Sequence, residues 1–266
     1  MPSWVIIGAS RGLGYEWLRQ LSQNLENQVI GVARTPGPVN EKLVADGITN
    51  VHVVQGDMAD NASLLAAATA TSKITGGVVD HLIVNGAYQD APLRSLSPTD
   101  YSGKENTLRN DMIASLEVNV LGVIYSINAF LPLLRKGDTK KITAISTGLA
   151  DLDFTLLSGN STQLTYSTMK AALNMVVAKY SQELKAEGFT VLALSPGLVN
   201  TRETPPTPEE LEKVKEMIKT FQAYAPSFQG ALNPEESVKA QYAVIVRDAP
   251  DQNGAFLSHW GNKMWL

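Results

Sequence analysis

The sequence predicts an α/β fold, a doubly wound sandwich built on a mostly parallel sheet of about seven strands. Three observations predict it. Short runs rich in β-branched residues alternate along the chain with longer stretches of helical period. Those runs are apolar on both faces, and only a parallel sheet covered on both sides hides both faces from water. The first run also ends in a glycine-rich turn that opens directly into a helical stretch, the junction at which parallel sheets meet anions.

The first strand is WVIIG, from Trp4 to Gly8, and the turn Gly8-Ala9-Ser10-Arg11-Gly12-Leu13-Gly14 leads into the helical YEWLRQLSQ. NQVIGVA, NVHVVQG and DHLIVNGA supply the second, third and fourth strands; KKITAIST, FTVLALSPG and GAFLS supply the remaining three. The one departure from regular alternation is the segment from Thr201 to Leu232, placed between a strand and a later helix. There Thr207 as N-cap, Pro208 at N1 and Glu210 at N3 make a capping box, followed by a stripe of Leu211, Val214, Met217, Ile218 and Phe221. Asn233-Pro234-Glu235-Glu236 repeats that start signal for SVKAQYAVIVR. With no Ser/Gly linker, composition shift or internal repeat, residues 1–266 read as a single domain, with 201–232 as a lid.

Composition narrows the function. The 266 residues are 44% hydrophobic and 18% charged, the balance of a soluble globular chain. A net charge of −4, with no basic cluster longer than Arg135-Lys136 or Lys140-Lys141, gives no electrostatic footprint for nucleic acid or an anionic membrane. The absence of cysteine excludes disulfides and thiolate chemistry. His52, His81 and His259 lack metal-ligand spacing, so no metal site is expected. The chain starts without a basic n-region and has no run of 18 apolar residues, so a cytoplasmic location is expected.

The glycine turn lets backbone approach a pyrophosphate seated on the helix N-terminus, although its G-x-x-x-G-x-G spacing differs from the G-x-G-x-x-G dinucleotide pattern. Twenty residues beyond Gly14, where NAD-binding folds often place an acid for the ribose 2′-hydroxyl, stands Arg34. A guanidinium there suits a 2′-phosphate, with Arg11 as a second contact, so NADP(H) is expected over NAD(H). Asp57 and Met58 follow the third strand, and Asn85-Gly86-Ala87 end the fourth. Asp57 suits the adenine amine and Gly86 leaves room for the adenosine ribose, while each reads equally as a cap or turn residue. Tyr166 and Lys170, four apart in YSTMK, share one helix face.

These motifs together resemble the short-chain dehydrogenase/reductase family over nearly the whole chain. Gly8, Gly12 and Gly14 match its glycine loop, and Asn85, Gly86 and Ala87 match its N-[NG]-A. Asn119 in EVNVLG matches its helical asparagine, Tyr166 and Lys170 its Y-x-x-x-K, and Pro196, Gly197, Val199 and Thr201 its P-G-x-V-x-T. ISTGLADLDF and NGAFLSHWG lean towards the carbonyl-reductase-like and C-factor-like branch. The resemblance implies a Rossmann-type fold and hydride transfer between NADP(H) and a carbonyl or alcohol substrate. It departs in two places. Strand five offers both Ser146 and Thr147, with alignment of the hydrophobic pattern favouring Thr147 as the catalytic hydroxyl. The stretches near 95–110 and 151–163 are each several residues longer than usual.

The resemblance assigns roles. Tyr166 acts as general acid or base, its pKa lowered from about 10 to about 7 by Lys170 and the oxidised nicotinamide, roughly 4 kcal/mol of phenolate stabilisation. Thr147 or Ser146 orients the substrate oxygen, Lys170 holds the ribose hydroxyls, Asn119 keeps a kink and a water, and Thr201 contacts the carboxamide or diphosphate. The lid's apolar stripe points to a hydrophobic substrate, and helices starting near Asn110 and Gln163 imply a homodimer or homotetramer. Two alternatives stand beside this reading: a lyase, isomerase or cyclase on the same scaffold, and a regulatory protein that senses NADP without turnover.

Overall fold

The computed structural model describes residues 1–202, 207–247, 249 and 252–266, with positions 208–210 and 213 described in backbone alone. The described residues form one seven-stranded sheet. Its strands are β1 (Ser3–Ile7), β2 (Gln28–Ala33), β3 (Val51–Gln55), β4 (His81–Val84), β5 (Lys141–Ile145), β6 (Thr190–Ser195) and β7 (Phe256–Ser258). They lie in the order β3-β2-β1-β4-β5-β6-β7, and every pair is parallel rather than most of them. Strand order reverses between β1 and β4, and at that switch point the carboxyl ends of the two strands open a crevice for ligand.

Alternation along β1 builds the two halves of the core. Val5 and Ile7 join Leu82, Val84, Ile127, Phe130 and Val177 on one face. Trp4 and Ile6 join Trp17, Leu18, Ile83, Leu194 and Val238 on the other. Each fully buried branched side chain contributes about 1.5–3 kcal/mol, which is why both faces of the strands are apolar.

The helices follow their end signals. α1 (Gly12–Leu21) buries Trp17 and Leu18, and α2 (Pro36–Ala45) starts on a proline. α3 (Asn61–Thr75) is capped by the Asp60 carboxylate, which accepts the Ala62 N–H, and stops at Gly76 with φ +66°. α4 (Glu105–Leu116) runs into a π-helical turn at Glu117–Leu121 and continues as α5 (Gly122–Leu134). α6 (Leu152–Ser158) occupies the longer stretch before α7 (Leu164–Glu183), the helix that carries Tyr166 and Lys170. α8 (Pro208–Tyr224) and α9 (Pro234–Val246) follow, the latter with the expected Asn233/Glu236 capping box. α8 starts at the expected proline, while the Glu210 side chain of the expected Thr207/Glu210 capping box lies outside what is described.

A third apolar cluster stands apart from the two faces of the sheet. Phe154 of α6, Phe221 of α8, Phe228 and Trp265 are its buried members, with Leu149, Met217, Ile218 and Tyr224 packed around them. The Phe154 and Tyr224 rings meet edge to face at 5.1 Å, and the Phe154 and Phe221 centroids are 5.7 Å apart.

Candidate active site

The glycine turn is shaped by close backbone approach. Gly8 has φ +83°, and a Cβ there would stand 2.5 Å from the Gly86 Cα. The Asn85 amide locks the same junction by donating to the Gly8 carbonyl oxygen at 3.1 Å. A Cβ on Gly14 would run into that carbonyl, so glycine there lets α1 sit down on β1. Gly12 has φ +54°, and its Cβ would meet the Thr201 side chain at 3.2 Å, which brings the first and last of the expected cofactor motifs into contact. Met58 is buried behind Gly86, where any Cβ would strike its sulfur.

The N-cap residue of α1, Arg11, makes no side-chain cap hydrogen bond, and the first turn holds no acid. Its N–H groups and dipole therefore present a positive end at the crevice, between exposed Ser10 and Arg11. Leu13 packs against the core, leaving its backbone as the part that can face an anion. Arg34 stands exposed just past β2, and neither it nor Arg11 forms an ion pair among the described residues. Asp57 is half-buried and already serves its turn: its Oδ1 accepts the Ala59 N–H at 3.1 Å, and its N–H donates to Ser63 Oγ at 3.0 Å. Ala87 is exposed at the rim.

On the opposite wall, Ser237 Oγ donates to the Pro196 carbonyl at 2.7 Å, and Val199 pairs with Leu232. Gly197 has φ +80°, and a Cβ there would be 2.7 Å from the ring of His259. Burial pulls His259 down to about pKa 4, so it is a neutral wall under this loop.

Lys170 is 1% exposed and donates from Nζ to the Ile145 carbonyl at 2.7 Å. The ammonium lies 5.8 Å from the centroid of the Tyr166 ring. Burial lowers Lys170 to about 7 and raises the Tyr166 phenol to about 12. This differs from the expectation of a phenol lowered to about 7. In the protein alone desolvation governs both groups, and the lysine is engaged by a backbone carbonyl.

The two adjacent hydroxyls are separated by the strand's alternation. Ser146 is 1% exposed and donates to Asn174 Oδ1 at 2.7 Å, on the face of α7 that also carries Lys170. Thr147 is half-buried at the carboxyl end of β5, and its Oγ1 accepts the Leu149 N–H at 3.3 Å. That contact uses an acceptor lone pair and leaves the Thr147 hydroxyl proton free to point elsewhere.

Asn119 is fully buried in the π-helical turn, a distortion frequent at functional sites. Its Oδ1 accepts the Tyr88 N–H at 3.0 Å, and its Nδ2 donates to the Tyr88 carbonyl at 2.8 Å and to Ser115 Oγ at 2.9 Å. The side chain is thus spent on holding the loop after β4 against the kinked helix.

The two longer stretches meet beside the site. Gln89 donates to Gln163, and Ser97 and Ser161 share a hydrogen bond at 2.8 Å. Part of the α8 stripe is used in packing: Met217, Ile218 and Phe221 belong to the cluster of Phe154 and Trp265, while Leu211 is 43% exposed.

Several residues that shape the site were not singled out in the sequence. Asn174, which takes the Ser146 hydroxyl, completes a four-residue spacing from Tyr166 and Lys170, a signal that was readable. Asp111, which accepts the Thr165 hydroxyl next to Tyr166, carried none. Nor did Ser195, whose Oγ accepts the Gly148 N–H at 2.9 Å.

Comparison with known proteins agrees with this geometry. The family model for short chain dehydrogenases matches residues 3–212. The short-chain dehydrogenase/reductase AacuF of Aspergillus aculeatus is 43% identical over 269 residues, spanning 100% of both chains. The short-chain dehydrogenase/reductase atnB of an Arthrinium species is 40% identical with the same coverage. Among solved structures, the NADPH-bound carbonyl reductase from chicken fatty liver shares the fold with a TM-score of 0.79 at 22% identity, covering 100% of this chain and 94% of that one. A short chain dehydrogenase from Burkholderia cenocepacia in complex with NADP has a TM-score of 0.76 at 21% identity, covering 98% and 97%. With its parallel sheet, glycine turn and Tyr166/Lys170 helix in place, the chain belongs to the short-chain dehydrogenase/reductase family of oxidoreductases.

Proposed function

We propose that the protein is an NADPH-dependent carbonyl reductase. The observation that carries this reading is the pair on α7, the Tyr166 ring with the buried Lys170 ammonium 5.8 Å from its centroid, with the Thr147 hydroxyl presented at the carboxyl end of β5. Burial alone makes this phenol a weaker acid, at about 12, so its use as the general acid needs the positive charge of Lys170 and of the bound cofactor to bring it back towards neutral.

The residues present fit a bound dinucleotide. Gly8, Gly12 and Gly14 let the turn pack closely on Gly86, Thr201 and β1, the α1 N-terminus opens beside that turn with no acid in its first turn, and exposed Arg11 and Arg34 suit a 2′-phosphate. Two solved structures of the same fold are described as holding NADPH and NADP, which supports the phosphorylated form. When bound, the reduced nicotinamide supplies the hydride.

The chain's own residues handle the proton. Tyr166 donates its phenolic proton to the substrate oxygen as negative charge develops there. Thr147 donates a hydrogen bond to the same oxygen and fixes its position. The phenolate left on Tyr166 favours the charged form of Lys170, which therefore holds its proton until Tyr166 is reloaded. Asn119 keeps the π-helical turn and the Tyr88 loop in register with the site. Ser146, bonded to Asn174, fastens the end of β5 to α7.

We also infer self-association through α5 and α7. A groove between them is lined by Ile124, Leu131, Met175 and Tyr180, and Met175 is 61% exposed. A second copy packed against this face would cover these apolar side chains, with Asn128, Lys179 and Glu183 left around them as polar contacts.

The test is a panel of ketones and aldehydes offered with NADPH, followed at the nicotinamide absorbance band. Loss of that absorbance with alcohol product is expected. Product without net NADPH consumption would favour an isomerase or lyase, and binding without product a sensor.

A further inference from the structure

Gly148 follows Thr147 directly and is held from two sides. Its N–H donates to Ser195 Oγ at 2.9 Å. Its α-carbon lies under Trp265: a Cβ on Gly148 would be 2.7 Å from the Trp265 Cβ and 3.0 Å from its Cγ. Gly148 is not among the residues with positive φ, so its backbone does not call for glycine. What excludes a side chain there is the tryptophan.

Trp265 itself is firmly seated. It is 3% exposed and stacks on Phe256 of β7 with centroids 4.3 Å apart and planes 25° from parallel. The Lys263 ammonium stands 5.2 Å from its ring centroid. On its other side it belongs to the cluster of Phe154, Phe221 and Phe228, which joins α6 to α8. Leu149, whose N–H is the partner of Thr147 Oγ1, packs on the same cluster. One indole therefore touches the turn that presents the Thr147 hydroxyl and the aromatic layer that seats α8.

We propose that Trp265 is a positioning residue for the catalytic hydroxyl, pressing the Gly148 turn into place so that Thr147 meets the substrate oxygen, and coupling the seating of α8 to that hydroxyl. The proposal rests on the reading of Thr147 as the group that binds the substrate oxygen. Displacing such a group by about 1 Å costs on the order of a hundredfold in rate even when binding is untouched. The effect therefore belongs in kcat, with NADPH affinity unchanged.

A double-mutant cycle tests it. The proteins are wild type, Gly148→Ala, Trp265→Gly and the double variant, with Thr147→Ala and Trp265→Phe alongside. The readouts are kcat on the carbonyl compound that wild type reduces best, NADPH affinity by fluorescence, and Tm. Gly148→Ala is expected to lower kcat about tenfold or more by displacing the turn, with NADPH affinity preserved. In the Trp265→Gly background the same substitution should cost less than about twofold, because the Cβ and the ring atoms that obstruct it are all gone. Trp265→Phe, which keeps an aromatic face on Gly148, should retain most of the wild-type kcat. If Trp265→Gly does not fold, the cycle runs in Trp265→Ala, which loses the ring and keeps the Cβ, so the cost of Gly148→Ala should fall in part rather than wholly. An equal cost of Gly148→Ala in both backgrounds, or none in wild type, overturns the proposal while a damaged Thr147→Ala leaves the catalytic reading standing. A Thr147→Ala enzyme as active as wild type overturns both.

Discussion

Lys170 directs its ammonium at the carbonyl oxygen of Ile145, 2.7 Å away, two residues before Thr147. This bond fastens the middle of α7 to the end of β5, so the helix carrying the phenol and the strand carrying the hydroxyl move as one piece. It also leaves a buried cation with a single neutral partner, a costly arrangement that function rather than stability explains.

That cost has a pH signature. Lys170 titrates near 7 in the folded protein against 10.5 as the unperturbed value. Between those values the unfolded chain binds the extra proton, so stability of the ligand-free protein rises with pH across the window, and the penalty is present in full below about 7. Lys170→Met should remove the dependence: from pH 7 to 10 wild type should gain up to about 4 kcal/mol relative to the variant. Urea unfolding at several pH values measures it, and parallel curves for the two proteins would contradict it.

Thr147→Val and Ser146→Ala should separate the two hydroxyls. The first removes the donor to the substrate oxygen and should lower kcat by about a hundredfold or more with NADPH affinity intact. The second leaves part-buried Asn174 Oδ1 without its partner and should cost about 0.5–1.5 kcal/mol of stability, with a smaller effect on turnover. Steady-state kinetics with a denaturation curve for each variant decide; the opposite pattern would make Ser146 the catalytic hydroxyl.

Arg34→Ala should weaken NADPH binding by about ten- to a hundredfold, the loss of one charge-assisted contact of about 1.5–3 kcal/mol, and leave NADH nearly unchanged. Fluorescence titration with both nucleotides checks it. Equal losses for the two would place Arg34 away from the 2′-phosphate.

Met175→Glu places a charge in the groove between α5 and α7. If copies associate there, sedimentation should show wild type as a dimer or tetramer and the variant as smaller species. An unchanged sedimentation profile would place the interface elsewhere.

How far the sequence reached depended on the range of the interaction. Strands β1, β2, β4, β5 and β6 were legible because burial on both faces imposes apolar, β-branched runs, the partly exposed β3 and β7 by their β-branched and aromatic residues, and the capping box before α9 because it is a contact within four residues. Gly8 and Gly12 were legible as turn glycines, though their partners Gly86 and Thr201 come from other parts of the chain. Ser146 and Thr147 were ambiguous because adjacent strand residues face opposite ways and only the packing of α7 shows which is engaged. The α8 stripe was visible, but not that Phe154 and Trp265 cover part of it. The upward shift of Tyr166 was unreadable, since it follows from burial that the spacing of two polar residues does not reveal.

The most direct measurement is turnover by Tyr166→Phe. The substitution removes one oxygen from a half-buried ring and leaves the glycine turn, Arg34 and Lys170 in place. NADPH should bind within about twofold of wild type while carbonyl reduction falls by about a hundredfold to ten-thousandfold, the usual share of general acid catalysis. A variant that binds NADPH and reduces the carbonyl substrate at the wild-type rate would contradict the assignment of Tyr166 as the acid and the mechanism built on it.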